Sequence, residues 1–61
     1  MMIVFVNDKE VHLPPGMTVK HALTQAGLME SVKTGKRVYD EWGNEIGLEG
    51  SLSENMKLFV R

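Results

Sequence analysis

Two histidines, a set of clustered carboxylates, the serines near the end of the chain and six glycines are the groups whose type and spacing could do chemistry. Zinc binding by histidine needs a second ligand at helical spacing or a nearby thiolate. His12 and His21 have neither, and both are expected at the surface. Asp40, Glu41, Glu45 and Glu49 lie close in sequence, but they lack the alternating oxygen ligands and pivot glycine that wrap calcium. A solvated hairpin accounts for them. Ser51 and Ser53 have no histidine at a motif spacing that would raise their nucleophilicity. Gly43, Gly47 and Gly50 follow the helical pattern, whereas a phosphate loop needs strand, glycine cluster and then a helix N-terminus. No catalytic, cofactor-binding or metal-ligating residue is assigned, so the chain is expected to be non-enzymatic and to need no cofactor.

Charge nominates no partner either. The chain carries 7 basic and 8 acidic residues, a net charge of −1, and only Lys33, Lys36 and Arg37 form a local basic group. Nucleic-acid modules show a basic surplus on one face. That group reads as a solvated connection, and no nucleic-acid partner is expected. The longest apolar run, Met1 to Val6, is far short of the roughly 18 residues of a membrane span. No charged leader precedes it and no small-residue cleavage site follows it, so neither a membrane partner nor export is expected and the cytoplasm is the expected compartment. Trp42 stands apart. At a turn tip it would be an interface anchor of the kind tryptophan often provides, unless it folds back over the edge of the core.

Sixty-one residues without cysteine must be held by one packed core, since no disulfide can staple them and 43% of the residues are apolar. Met2 to Val6 is a β-branched and aromatic run that stops at the turn pair Asn7-Asp8. Val11 and Leu13 alternate with Glu10 and His12 in a second strand, ended by Pro14-Pro15-Gly16. Thr18 is a good helix N-cap, and Val19, Ala22, Leu23 and Ala26 repeat at i, i+3, i+4 and i+7. Gly27 stops that helix at about nine residues, with Leu28 placed to touch Leu23 as in a Schellman motif. Met29 to Gly35 reads as a connection, Lys36 to Asp40 as a third strand and Asp40-Glu41-Trp42-Gly43 as a turn. Asn44 to Leu48 should return as a short edge strand, weakened by Gly47, before Met56, Leu58 and Val60 alternate in a closing strand.

One domain over residues 1–61 is expected, of α+β class, with a single helix on one face of a mixed sheet. The order of elements resembles the β-grasp, or ubiquitin-like, layout, for which sheet order 2-1-5-3-4 is expected, with the first and last strands parallel at the centre. Strand alternation then has a functional consequence. If Met2, Val4 and Val6 face the helix, Ile3 and Phe5 face away from it, joined by Phe59 on the closing strand. Ile3, Phe5, Phe59 and Trp42 are the candidate interaction residues, because an apolar patch on a helix-free face marks a binding surface. Partial cover by the stems of His12, Lys57 and Arg61 is the competing account of that face. Occupancy by a protein partner is expected, with a weak homodimer as the other occupant.

The segments Phe5 to Leu13, Pro15 to Val19 and Ala22-Leu23 resemble the opening of the small bacterial sulfur carriers, namely the thiamine sulfur carrier and the small subunit of molybdopterin synthase. Domains of TGS type begin similarly. The ending Leu52-Ser53-Glu54-Asn55-Met56-Lys57-Leu58-Phe59-Val60 is similar to the last turn and strand of those families. The resemblance implies a partner like an adenylating enzyme. It also implies a flexible tail closing in Gly-Gly, whose carboxylate becomes a thiocarboxylate, but this sequence closes on Val60-Arg61. The chain as it stands is therefore expected to be neither adenylated nor thiocarboxylated, and to be an interaction module related to the carriers. The alternatives are a sulfur carrier whose Gly-Gly tail is absent here and a TGS-like regulatory domain that binds a small ligand.

Overall fold

The first strand, β1 (Met2–Val6), reverses at Asn7-Asp8 into β2 (Lys9–Leu13). In the computed structural model, which describes residues 1–61, both turn residues are left-handed, with φ of 50° and 69°. Two successive positive φ values make a type I′ turn, whose twist suits a two-residue hairpin and which asparagine and aspartate tolerate better than other side chains. Val4 lies opposite Val11 and Val6 opposite Lys9 in the antiparallel pair.

The helix α1 (Val19–Ala26) buries the four residues of its apolar stripe, Val19, Ala22, Leu23 and Ala26. Thr18 caps it in extended backbone, and the His21 Nδ1 lies 3.3 Å from the Thr18 N–H, in the place that glutamate takes in a capping box. Two further N–H groups of the first turn, from Val19 and Lys20, donate to the carbonyls of Gly50 and Leu48 at 3.0 Å each. At the other end Gly27 adopts φ 76°, its N–H donates to the Thr24 carbonyl at 3.1 Å, and the Leu28 N–H donates to the Leu23 carbonyl at 2.9 Å. That pair of bonds is the expected Schellman closure.

Two sequence expectations need correction. Met29 to Gly35 is not a plain connection: α2 (Met29–Lys33) forms there, setting Met29 and Val32 against the core, with Glu30 in its first turn and Lys33 in its last. Those charges sit favourably on the helix dipole. The return strand expected over residues 44–48 is the second. Only a single bridge between Tyr39 and Glu45 remains of it, beside a bond from the Ile46 N–H to the Val38 carbonyl at 2.8 Å. Beyond Ile46 the chain leaves the sheet, because the Leu48 and Gly50 carbonyls are bonded to the start of α1. Gly50 permits the tight path: a Cβ there would lie 3.1 Å from the Gly47 oxygen and from Ile46 Cγ2.

The sheet therefore has four strands and not five. With β3 (Val38–Asp40) and β4 (Met56–Val60) its order is β2-β1-β4-β3, so the five-strand order 2-1-5-3-4 does not hold. β1 and β4 are parallel at the centre, with Val4 opposite Met56 and Val6 opposite Leu58. β3 runs antiparallel to β4. The architecture is α+β, with Val4, Val6, Leu23, Leu58 and Val19 fully enclosed between sheet and helix.

Candidate interaction face

Strand alternation places every second side chain of the sheet on the side away from α1. Phe5 on β1 lies opposite Glu10 on one side and Lys57 on the other, and Ile3 lies opposite His12. Phe59 on β4 faces Tyr39 on β3. Ile3, Phe5, Tyr39 and Phe59 all remain partly exposed, while their neighbours Val4, Val6, Val38, Leu58 and Val60 are buried beneath the helix. Three of the four were expected from the sequence. Tyr39 was not assigned to the face, although its place beside the buried Val38 was the signal for it.

Two of the charged neighbours are engaged, and Arg61 covers part of this surface. The Glu10 carboxylate meets His12 Nε2 at 2.5 Å, an exposed pair along one strand. The Arg61 guanidinium stands over the Tyr39 ring, 5.2 Å from its centroid, in cation–π geometry. Lys57 is exposed between the two phenylalanines.

Trp42 does not fold back. It is 78% exposed at the tip of the turn after β3, and it lines a groove with Glu54, Met56 and Lys57. Asp40 holds that tip in shape: one carboxylate oxygen accepts from the Asn44 N–H at 2.8 Å and from the Trp42 N–H at 2.9 Å. Gly43 supplies the left-handed turn residue at φ 84°. The hydrogen bonds from Asn44, and then those from Trp42 and Gly43, hold the Asp40 carboxyl below its ordinary value of 3.8. A depressed carboxyl contributes stability above its unfolded value and loses it as the pH falls through the folded one. Asp40→Asn should therefore lower the urea midpoint at neutral pH, and the two curves should converge below pH 3.8. Parallel curves across that range would show that Asp40 does not organise the turn.

Two of the remaining polar side chains have structural partners. His21 bonds Thr18 at the helix start, and the Arg37 guanidinium pairs with Glu45 at 2.9 Å, which raises the Arg37 pKa through that hydrogen bond and charge. Lys33 and Lys36 are exposed beside it. Ser51 is joined by a backbone bridge to Thr18, and no cluster of three or more His, Asp or Glu side chains is placed to hold a metal ion. No helix is long and apolar enough to cross a membrane.

Asn7 has a role that its place in a turn did not announce. Its side-chain oxygen accepts from the Val60 N–H at 2.9 Å, and its amide nitrogen donates to the Val60 carbonyl at 3.4 Å. The side chain thus lengthens the central parallel ladder by one residue.

Fold and face together define a small α+β domain with one open, partly apolar sheet surface and an exposed tryptophan at its margin. Comparison with protein-family models, curated proteins and solved structures finds no match for the chain.

Proposed function

We propose that the chain is a non-enzymatic β-grasp module, related to the sulfur carriers, that binds a protein partner through its helix-free sheet face. The observation that carries this reading is the set Ile3, Phe5, Tyr39 and Phe59, left part-exposed side by side with no element packed over them. Aromatic residues on a sheet lose little freedom on binding, and the charges of Glu10 and Arg61 at the margin and Lys57 within the patch would orient the partner. Support for the β-grasp assignment comes from the parallel central pair β1 and β4, with an antiparallel strand on each side and α1 on one face. The expected partner is an adenylating-enzyme-like protein, on the strength of the sequence resemblance.

The test is a titration of the isotope-labelled chain with such an enzyme, read by chemical shifts. Perturbations should centre on Ile3, Phe5, Tyr39, Phe59 and the indole of Trp42. Replacing Phe5 by Thr and Phe59 by Gln should leave the circular dichroism spectrum native and weaken binding at least tenfold, about 1.4 kcal/mol. Shifts confined to α1 and α2, with the sheet face silent, would overturn the assignment.

A further inference from the structure

β2 is an outer strand of the sheet, and no turn or loop hydrogen bond reaches the backbone of residues 9–13. Its partnerless groups can be identified from register alone. On β1, the Ile3 N–H donates to Glu54 Oε2 at 2.8 Å and the Ile3 carbonyl accepts from Asn55 at 2.7 Å, while the Asn7 N–H donates to the Leu58 carbonyl at 2.9 Å. The odd positions of β1 therefore direct their backbone toward β4, and the even positions Met2, Val4 and Val6 toward β2. Their partners there are Leu13, Val11 and Lys9. The N–H and C=O groups of Glu10 and His12 consequently point outward, away from the sheet.

We infer that this edge pairs with the same edge of a second copy of the chain, antiparallel and centred on Val11. The register follows from chemistry. Pairing Glu10 with the Glu10 of the other copy would set two carboxylates opposite each other, which is destabilising. Centring on His12 would bring Glu10 opposite Pro14, which has no N–H to donate. The remaining register sets each Glu10 opposite the other copy's His12, so both pairs match a carboxylate with an imidazole and exchange two main-chain hydrogen bonds. The contact between Glu10 and His12 within one strand shows that the two groups are compatible partners. Val11 meets Val11 at the axis on the helix side. Only five residues take part before Pro14-Pro15, so the association is weak and depends on concentration.

A two-fold axis of this kind stands perpendicular to the sheet. Both four-stranded sheets would merge into one, with both helix pairs on one side and both open faces on the other. The dimer would therefore offer two copies of the proposed docking face side by side, without covering either. The inference does not depend on what binds that face.

Sedimentation equilibrium tests it: the average mass should rise from 6.9 kDa toward twice that value as concentration increases. A mixed-label nuclear Overhauser spectrum should connect the α-protons of Lys9 and Leu13, which lie about 13 Å apart within one strand but face each other across the proposed axis. His12→Pro removes an outward N–H together with the imidazole that meets Glu10, and leaves the bonds between β1 and β2 in place, so it should keep the monomer fold and abolish the dimer. Glu10→Lys, which leaves the backbone untouched, should weaken the dimer about tenfold, and adding His12→Glu should restore it. A constant monomer mass up to about 1 mM, the weak end of specific association, would overturn the inference. So would a dimer that survives in folded His12→Pro.

Discussion

Leu23→Ala is expected to cost about 2–5 kcal/mol, close to the whole stability of the domain. Leu23 is fully enclosed at the centre of the α1 stripe, among the largest of the completely buried side chains. Truncation removes apolar contacts and leaves a cavity that the surrounding sheet can only partly collapse into. Domains carry roughly 0.05–0.15 kcal/mol per residue, which for a chain of 61 residues is about 3–9 kcal/mol. Denaturant titration should show a midpoint near zero or a chain already unfolded. A loss below about 0.5 kcal/mol, the range of an ordinary surface change, would mean that the helix does not bury this stripe.

Asn7→Ala should cost about 2–5 kcal/mol, far more than a turn residue normally would. Two terms contribute. The Val60 N–H is bonded to Asn7 Oδ1 and belongs to a buried residue, so removing the acceptor leaves a donor unpaired at about 1–3 kcal/mol. Alanine would also have to hold the φ of 50° that asparagine tolerates, at about 1–2 kcal/mol. Asn7→Gly separates the terms, since glycine relieves the backbone strain but cannot bridge to Val60. It should be less damaging than alanine by about 1 kcal/mol and still destabilising. Equal stability of wild type and Asn7→Gly would show that the bridge to Val60 contributes nothing.

What could be read from the residues was whatever depends on local period and turn chemistry. The stripe Val19, Ala22, Leu23 and Ala26, its stop at Gly27 and the strands around Asn7-Asp8 all follow from spacing, and the structure has them where spacing puts them. The parallel pairing of β1 with β4, expected from a crossover by one helix, holds with α2 added to that crossover. Residues 44–48 could not be read locally. Their pattern suits a strand, but the first turn of α1 needs acceptors, and the Leu48 and Gly50 carbonyls provide them. The five residues of α2 are too few for a period to emerge, so only contact with the core reveals why Met29 and Val32 sit there. On the interaction face, alternation placed Ile3, Phe5 and Phe59 correctly but left Trp42 open between two positions. The turn that forms there, with the Trp42 and Asn44 N–H groups donating to Asp40, leaves Trp42 exposed. His21 and Asn7 were legible as surface and turn residues, whereas their bonds to Thr18 and Val60 arise only once the chain has folded.

The position of β1 bears on how the protein emerges from the ribosome. Its backbone is satisfied on one side by β2 within a few residues, but on the other only by β4, with Asn7 and Val60 53 positions apart in the chain. At roughly 5–20 residues per second, synthesis delivers the whole of that second partner about 2–9 s after Leu13 completes the hairpin. Until β4 arrives, a strand apolar on both faces has α1 to cover one of them but keeps an open edge, the condition under which nascent chains pair with one another. Completion of the fold is therefore a late, nearly all-or-none event. Nascent hairpins on neighbouring ribosomes would be the vulnerable species, shielded by whatever binds apolar segments at the tunnel exit.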